Sequence, residues 1–131
     1  MLAHAKEQST ALKVFDVFEM IPEPSERDDG DVIDRYNVIK SGESKGIGGE
    51  GLYNGYEKEL VRKVEDNFRQ NDIELAVEKV DLVQGGFNET LAKERGALSF
   101  AHIDCDWFDS AMICFVELWS RLSPGGSLVS R

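Results

Sequence analysis

The sequence predicts an α/β fold in which parallel strands are wound with helices. Apolar runs of strand length alternate with segments of helical periodicity along the chain. Acidic residues or glycines follow three of these runs, at the strand ends where such folds collect ligands. The length of 131 residues fits one domain, residues 1–131, with one hydrophobic core.

A helix over residues 2–11 and a short buried strand over residues 13–18 are the first predicted elements. Apolar side chains recur on one side of the helix, and no Gly or Pro interrupts it. In the strand, four apolar residues surround Asp16, and Pro22 then ends any regular element. Asp16 is therefore expected at a strand exit, where an acid either binds a ribose diol or bonds to loop amides.

The negative charge of the chain is concentrated in residues 19–34. This segment has seven acidic residues and one arginine, within a chain whose formal net charge is −10. Its residues do not fit the spacing of a calcium-binding EF-hand loop, so a solvated loop is predicted. The overall charge opposes phosphate backbones and anionic membrane surfaces, which excludes nucleic acid and membranes as partners.

Residues 41–55 contain six glycines, which is typical of a mobile or ligand-covering loop. Residues 46–51 match the pattern G-x-G-x-x-G, but a dinucleotide fingerprint requires a strand directly before it and a helix starting within it. Polar residues precede the motif, and the next helical periodicity spans residues 56–70. A loop is therefore predicted here rather than a dinucleotide site.

The second half of the chain predicts a regular alternation of elements. They are a strand at residues 80–83, a short helix capped by Asn88 over residues 89–95, a buried strand at residues 98–103, a helix from Asp109 or Ser110 that ends at residues 124–126, and a strand beginning at residues 127–129. The strand at residues 98–103 is the most clearly marked of these elements, because it is a continuous apolar run.

Asp104 and Asp106 follow that strand and form the best candidate site. Two carboxylates at a strand exit can share a hard cation such as Mg²⁺, which prefers carboxylates and waters. The alternative is that an acid here caps the following helix. His102 is expected as a hydrogen-bonded core imidazole rather than a general base. Trp107 and Phe108 are expected in the core, with a substrate pocket as the alternative.

Cys105 and Cys114 lie in apolar surroundings at a spacing that fits neither a disulfide framework nor a zinc site. Reduced core thiols are therefore expected, which indicates the cytoplasm. The N-terminus lacks the apolar run of a signal peptide, and no stretch approaches the ~18 apolar residues of a membrane span.

Five stretches of the chain resemble the macrocin O-methyltransferase (TylF-like) family, in the order that the family has them. They are KVFDVFEMIPEPSERDDGD at 13–31, GIGGEGLYNGYEKELV at 46–61, GGFNETL at 85–91, HIDCDWFDSAM at 102–112 and LSPGG at 122–126. The resemblance implies a class I Rossmann-like domain that transfers a methyl group from S-adenosylmethionine to a hydroxyl, often on a sugar of a natural product. It also implies help from a divalent metal.

Under this resemblance, Asp16 matches the acid that binds the cofactor ribose, and Asp104 matches the first metal ligand. Residues 46–56 match a loop over the active site. The strand-exit positions inferred from the pattern alone agree with these two roles.

The resemblance also implies an incomplete Rossmann-like sheet, truncated at both ends. The family has a glycine-rich cofactor turn before the helix that starts here at Leu2, and paired aspartates where this chain has Ser130 and Arg131. The fold is thus expected to lack its first strand, which is central, and its last strands. Because neighbouring strands would keep unpaired backbone groups, a homo-oligomer is expected.

Three functions remain open from the sequence. The first is a remnant or fragment of an S-adenosylmethionine-dependent O-methyltransferase without independent catalysis. The second is a methyltransferase that completes its site with a partner chain. The third is a non-catalytic, homo-oligomeric α/β module for interaction or for binding a small-molecule ligand.

Overall fold

The computed structural model describes residues 9–131, which form four strands and four α-helices. In chain order they are β1 (Leu12–Asp16), α1 (Gly30–Lys40), α2 (Leu60–Gln70), β2 (Val80–Gln84), α3 (Phe87–Thr90), β3 (Leu98–Ile103), α4 (Phe108–Trp119) and β4 (Leu122–Ser130). The predicted helix over residues 2–11 lies almost wholly outside the described residues. The α/β class is confirmed, and every helix between residues 9 and 131 is too short or too polar to span a bilayer.

The strands form two separate parallel pairs. Strand β1 pairs with β2, from Leu12 beside Val80 to Asp16 beside Gln84. Strand β3 pairs with β4, and no ladder joins β1 to β3 among the described residues. The parallel pairing is confirmed, but the layer predicted as one sheet is divided. Side chains, rather than backbone hydrogen bonds, therefore connect its two halves.

The β1–β2 pair packs on a small core around Ile73 and Val80, which are 6% and 4% exposed. Four partly buried side chains surround them: Leu12, Val14, Phe68 and Leu75. Alternate residues of β1 point to the same face of a strand, so Leu12 and Val14 share this side and Phe15 points to the other.

The β3–β4 pair packs on a larger core that helix α4 covers. Its buried members are Leu91, Ile103, Cys114 and Leu118. Cys114 and Leu118 are four residues apart and so lie on one face of α4. Phe15 of β1 packs against this second core, which makes it the apolar link between the two sheets.

Helix α1 (Gly30–Lys40) replaces part of the predicted acidic loop. Its buried residues are Tyr36 and Ile39, and Val32 precedes Tyr36 by one helical turn. This apolar stripe is narrow, and the acidic residues around it led to the prediction of a solvated loop. Acidic residues at a helix start are instead favourable, because they lie at the positive end of the helix dipole.

Three other predictions of local structure are wrong. Asn88 does not cap a helix over residues 89–95, because α3 begins one residue before it with Gly86 at the N-cap position. His102 is exposed rather than a core imidazole, since it points to the uncovered face of the β3–β4 pair. Phe108 is 44% exposed and not in the core.

Strand β4 begins at Leu122, earlier than the predicted start at residues 127–129. The pairing with β3 shifts between Leu98 and Phe100, so the residues from 123 to 126 form a bulge inside the strand. A side chain at Gly126 would come within 2.9 Å of the Ser123 carbonyl oxygen and 3.1 Å of the Leu98 carbonyl oxygen. The glycines expected to end the helix therefore form the bulge instead.

Candidate functional site

The carboxyl ends of β1, β2 and β3 meet at one cavity of about 540 Å³. Strand β1 contributes Asp16 and the residues after it, β2 is followed by Gly86, Phe87 and Asn88, and β3 is followed by residues 104–107. The volume lies within the range of small-molecule sites, which is about 300–1,000 Å³. The residues that follow these three strands therefore lie around one cavity, as the sequence predicted, although the strands belong to two separate sheets.

The wall of this cavity is strongly acidic. It contains seven carboxylates and, among the described residues, no lysine, arginine or histidine. The seven are Asp16, Glu19, Glu23, Asp28, Asp104, Asp106 and Asp109. Such a wall attracts cations and repels phosphate groups. This concentration of charge was only partly visible in the sequence, because it joins the acidic segment to the residues that follow β3.

Asp16 lies at the exit of β1, as predicted. Its Oδ1 accepts a hydrogen bond of 2.6 Å from the backbone N–H of Phe18, whose φ is 49°. The carboxylate thus stabilises a left-handed residue in the turn that leads into the cavity. Asp16 therefore bonds to a loop amide, as the second of its two predicted roles requires. This hydrogen bond uses one of the two carboxylate oxygens. The other oxygen makes no hydrogen bond among the described residues, which keeps the ribose role as a prediction.

Asp104 and Asp106 are both exposed and line the same cavity. Neither side chain accepts a hydrogen bond from the first turn of helix α4 or from a loop amide among the described residues, and the first N–H of that helix, on Phe108, is bound by Asp28 at 2.7 Å instead. The alternative that an acid here caps the helix or bonds to loop amides is therefore wrong. Within residues 9–131 no group of three or more His, Cys, Asp or Glu side chains could hold a metal ion. Two carboxylates still fit Mg²⁺, which commonly keeps several waters beside one or two protein ligands.

Hydrogen bonds connect the segment before α1 to the start of α4. Asp28 accepts hydrogen bonds from the backbone N–H groups of Phe108 and Ser25, both at 2.7 Å. Partial burial raises the pKa of Asp28, but these hydrogen bonds outweigh it and hold the pKa below its usual range. The buried Trp107 ring donates from Nε1 to the Pro22 carbonyl oxygen at 2.7 Å. Trp107 is thus buried, as predicted, and it also lines the cavity, which agrees with the pocket alternative. These hydrogen bonds stabilise one wall of the cavity.

The glycine-rich segment folds back on itself beside the cavity. Lys45 and Leu52 form an antiparallel bridge, and the Tyr53 N–H donates to the Ser44 carbonyl oxygen at 3.0 Å. The G-x-G-x-x-G match contains only a 3₁₀ turn of three residues, Ile47–Gly49, and the next α-helix, α2, begins at Leu60, so the dinucleotide geometry is absent. Residues 53–55 line the cavity, which agrees with the predicted position of this loop over the site.

Tyr53 is a cavity residue that the sequence analysis did not identify. It also borders a second cavity of about 360 Å³ that includes Arg35 of α1. Burial raises the pKa of Tyr53, and the negative charges of Asp16 and Asp106 raise it further. The hydroxyl therefore keeps its proton at neutral pH and faces carboxylates from two strand ends. No residue pattern marked Tyr53, because its place depends on the fold of the loop.

Cys105 lines the cavity, and Cys114 lies beside it in the core of the β3–β4 pair. Their sulfur atoms are 3.7 Å apart, and neither is in a disulfide. The hydrogen bond from Cys114 lowers the pKa of the Cys105 thiol, against the opposing effects of burial and of three nearby aspartates. The same bond, together with burial, raises the pKa of Cys114. The reduced state was predicted, whereas the contact between the two sulfurs was not.

Comparison with known proteins gives two findings. The model of the macrocin O-methyltransferase (TylF) family matches residues 1–130. A solved structure of the O-methyltransferase NovP superposes with a TM-score of 0.64 at 22% sequence identity, covering 92% of this chain and 44% of that one. The chain therefore spans less than half the length of the methyltransferase it matches, and the likeness concerns the fold. Among curated protein sequences, none matches it.

Proposed function

The chain belongs to the macrocin O-methyltransferase (TylF) family, and we propose that its acidic cleft binds S-adenosylmethionine and a divalent cation. We propose further that the chain does not complete methyl transfer alone, which makes it a remnant or fragment of an O-methyltransferase. The observation that carries the proposal is the convergence of Asp16, Asp104 and Asp106 on one cavity. The acceptor class that the family implies is a hydroxyl of a sugar or other natural product.

The charge of the cleft supports this ligand class over other nucleotides. The sulfur of S-adenosylmethionine is a sulfonium cation, and the molecule carries no phosphate. A wall with seven carboxylates favours that charge and disfavours a dinucleotide, whose pyrophosphate requires helix N–H groups or basic residues. The same wall favours a divalent cation, for which carboxylates are the preferred protein ligands.

The roles of individual residues follow from their places in the wall. The unpaired oxygen of Asp16 accepts hydrogen bonds from the ribose diol, while its bonded oxygen keeps the turn at Phe18 in place. Asp104 and Asp106 hold the divalent cation. When bound, S-adenosylmethionine supplies the methyl group, and the cation orients the acceptor hydroxyl and lowers its pKa.

The divided sheet supports the absence of independent catalysis by these residues. No ladder joins the β1–β2 pair to the β3–β4 pair among residues 9–131, so no continuous sheet fixes Asp16 relative to Asp104 and Asp106. The residues present match 44% of the NovP chain. An active centre of this kind needs further groups to exclude water and position the acceptor.

The variant Asp104→Asn tests the cation site. Mg²⁺ or Mn²⁺ should raise the melting temperature of the parent protein and raise that of Asp104→Asn much less, because a ligand of the native state stabilises it. The matched control is Asp81→Asn, which removes the same charge from an exposed position of β2 outside the cavity. Equal shifts in the parent and in Asp104→Asn, or no shift in the parent, would sink the ligand role.

The second candidate function is a non-catalytic, homo-oligomeric module, and the exposed face of the β3–β4 pair favours it. Phe100 and Val129, each 46% exposed, lie on the same face of neighbouring strands. The edges of β1 and β3 that face away from their partners also have no ladder among the described residues. Apolar faces and open strand edges both pair readily with another chain.

Light scattering after size-exclusion chromatography tests this second candidate. A dimer or larger species is expected, and Phe100→Asp should shift it towards the monomer, whereas Asp81→Asn should not. A parent protein that elutes as a monomer at all concentrations would rule out self-association. Calorimetric titration with S-adenosylmethionine separates the two candidates, since only the first predicts binding of this cofactor. Neither predicts methyl transfer by the chain alone.

A further inference from the structure

The thiols of Cys105 and Cys114 are close enough to react with each other. Their sulfur atoms are 3.7 Å apart, although nine positions separate the residues in the chain. Cys105 belongs to the irregular segment between β3 and α4, and Cys114 lies in the middle of α4 (Phe108–Trp119). The turn from strand to helix therefore brings the two sulfurs together.

The two thiols differ in their access to solvent. Cys105 is half-buried and lines the cavity, so a small molecule in the cleft can reach its sulfur. Cys114 is 5% exposed and packs in the core with Leu91, Ile103 and Leu118. We propose that the pair is an oxidation site, at which a small neutral or cationic disulfide reacts with Cys105 and Cys114 then closes an intramolecular disulfide.

The reaction proceeds by two thiol–disulfide exchanges. The Cys105 thiolate attacks one sulfur of the small disulfide, forms a mixed disulfide and releases one small thiolate. The Cys114 thiol then attacks the Cys105 sulfur, and its proton passes to the departing small thiolate, which leaves as the second small thiol. One S–S bond is formed in the protein and one is broken in the reagent. The protein loses two electrons and two protons, and the small disulfide gains them.

The charge of the cleft selects the reagent. Seven carboxylates line the cavity that Cys105 borders, so a cationic disulfide is concentrated there and an anionic one is repelled. Cystamine should therefore react faster than the neutral hydroxyethyl disulfide, and oxidised glutathione should react most slowly. We expect the cationic and anionic reagents to differ by at least about tenfold in rate, with the difference reduced by added salt.

Oxidation also changes the position of the cleft carboxylates. A disulfide bond requires the sulfurs to approach to about 2 Å, and Cys114 is held by the hydrogen bonds of its helix. We expect the segment that carries Asp104 and Asp106 to take up part of this movement, because Cys105 lies between them in the chain. This consequence rests on the proposed cation site: the shift in melting temperature caused by Mg²⁺ should be smaller in the oxidised protein than in the reduced one. An equal shift would contradict the consequence.

Mass spectrometry of the full chain after cystamine treatment tests the oxidation site, independently of any cation. No Lys or Arg lies between the cysteines, so one tryptic peptide of residues 96–121 contains both. This peptide should lose two hydrogens in mass, resist thiol alkylation and carry no cystamine fragment. A retained cystamine fragment, a disulfide between two chains or two free thiols would each overturn the proposal.

Two single variants test the order of attack. Cys114→Ala should trap the reagent as a stable mixed disulfide at Cys105, because the second thiol is missing. Cys105→Ala should not react while folded, because the Cys114 sulfur is buried. Modification of folded Cys105→Ala at the rate of Cys114→Ala would contradict the assignment of Cys105 as the reacting thiol. The parent experiment remains decisive if either variant fails to fold.

Discussion

The two strand pairs of this protein differ in how they are stabilised. The β3–β4 pair is covered by α4 and buries four residues, Leu91, Ile103, Cys114 and Leu118. The β1–β2 pair buries two, Ile73 and Val80, beneath partly buried neighbours. Since buried apolar area is the main favourable term in folding, the β3–β4 half is expected to be the more stable one.

The cleft lies where these unequal halves meet. Strand β1 contributes Asp16 from the weaker half, and the residues after β3 contribute Asp104 and Asp106 from the stronger half. Because no backbone ladder joins β1 to β3 among residues 9–131, the distance between these carboxylates depends on side-chain links. The site is thus predicted to be only as well ordered as the contacts that span the two halves.

The largest expected effect comes from a matched pair of core substitutions. Ile103→Ala should lower the free energy of unfolding by about 4 kcal/mol, and Ile73→Ala by about 2 kcal/mol, because a cavity in the larger core has fewer ways to collapse. Chemical denaturation followed by circular dichroism measures both. Equal costs, or a larger cost for Ile73→Ala, would show that the halves do not differ as described.

The link between the halves is tested by Phe15→Ala. Phe15 belongs to β1 but packs on the core of the β3–β4 pair, and it is half-buried. A loss of about 2 kcal/mol is expected, below the roughly 3–5 kcal/mol of a fully buried phenylalanine. The unfolding transition should also broaden, because the halves then unfold less cooperatively. The control Phe68→Ala, within the smaller core, should lower stability without this broadening.

A polar link of intermediate strength is tested by Asp28→Ala. Its carboxylate bonds to the first N–H of α4, and loss of such a cap costs about 1 kcal/mol. The neighbouring Asp29 is the N-cap residue of α1 but makes no side-chain cap hydrogen bond, so Asp29→Ala serves as the control. Equal losses of stability in Asp28→Ala and Asp29→Ala would show that the hydrogen bond from Phe108 to Asp28 does not stabilise the fold.

The Asp28 carboxylate is also expected to make the stability of the fold depend on pH. The pKa of Asp28 is lower in the folded chain than its ordinary value of 3.8. Its contribution is therefore complete above that ordinary value and is lost as the pH falls through the lower, folded value. Acid titration of stability should show a smaller loss in Asp28→Asn than in the parent over this range. Identical acid profiles would indicate that the hydrogen bonds of Asp28 do not depend on its charge.

The smallest effect is expected at the surface ion pair between the halves. The Lys13 ammonium group lies 2.8 Å from the Glu94 carboxylate, and both side chains are partly exposed. Lys13→Met should cost about 0.5 kcal/mol, less than either apolar link. The more exposed pair of Arg62 and Glu59, at 3.1 Å, offers Arg62→Met as a control that should cost still less. If Lys13→Met lowered the free energy of unfolding more than Phe15→Ala does, the ion pair would be a stronger link between the halves than the apolar contact, contrary to the prediction.

The parts of the fold that could be predicted depend on neighbours in sequence. The bounds of strand β3, Leu98–Ile103, agree with the prediction, because its largely apolar run is bounded by Gly96 and Asp104. The prediction that this strand is buried is wrong for three of its six residues, Ser99, Phe100 and His102, which are exposed. Helix α1 was missed because only Val32, Tyr36 and Ile39 carry its apolar periodicity. Pairing between strands that are distant in sequence could not be predicted. No local pattern shows that β1 and β3 lack a common ladder.

The residues of the candidate site also differ in whether the sequence alone could identify them. Asp16, Asp104 and Asp106 were identified because each ends a strand, and strand ends of one sense meet at one edge. Asp28 and Tyr53 were not identified, since they reach the cavity through the packing of loops. The sulfur contact between Cys105 and Cys114 also depends on a turn whose geometry the nine-residue spacing does not define.

Calorimetric titration with S-adenosylmethionine in the presence of Mg²⁺ tests the central claim, that the acidic cleft is a cofactor site. Saturable heat is expected with the parent and with Asp81→Asn, and its loss is expected in Asp16→Asn. That variant keeps an oxygen for the Phe18 N–H while removing the charge beside the ribose. No saturable heat with the parent, or unchanged binding by Asp16→Asn, would contradict the account.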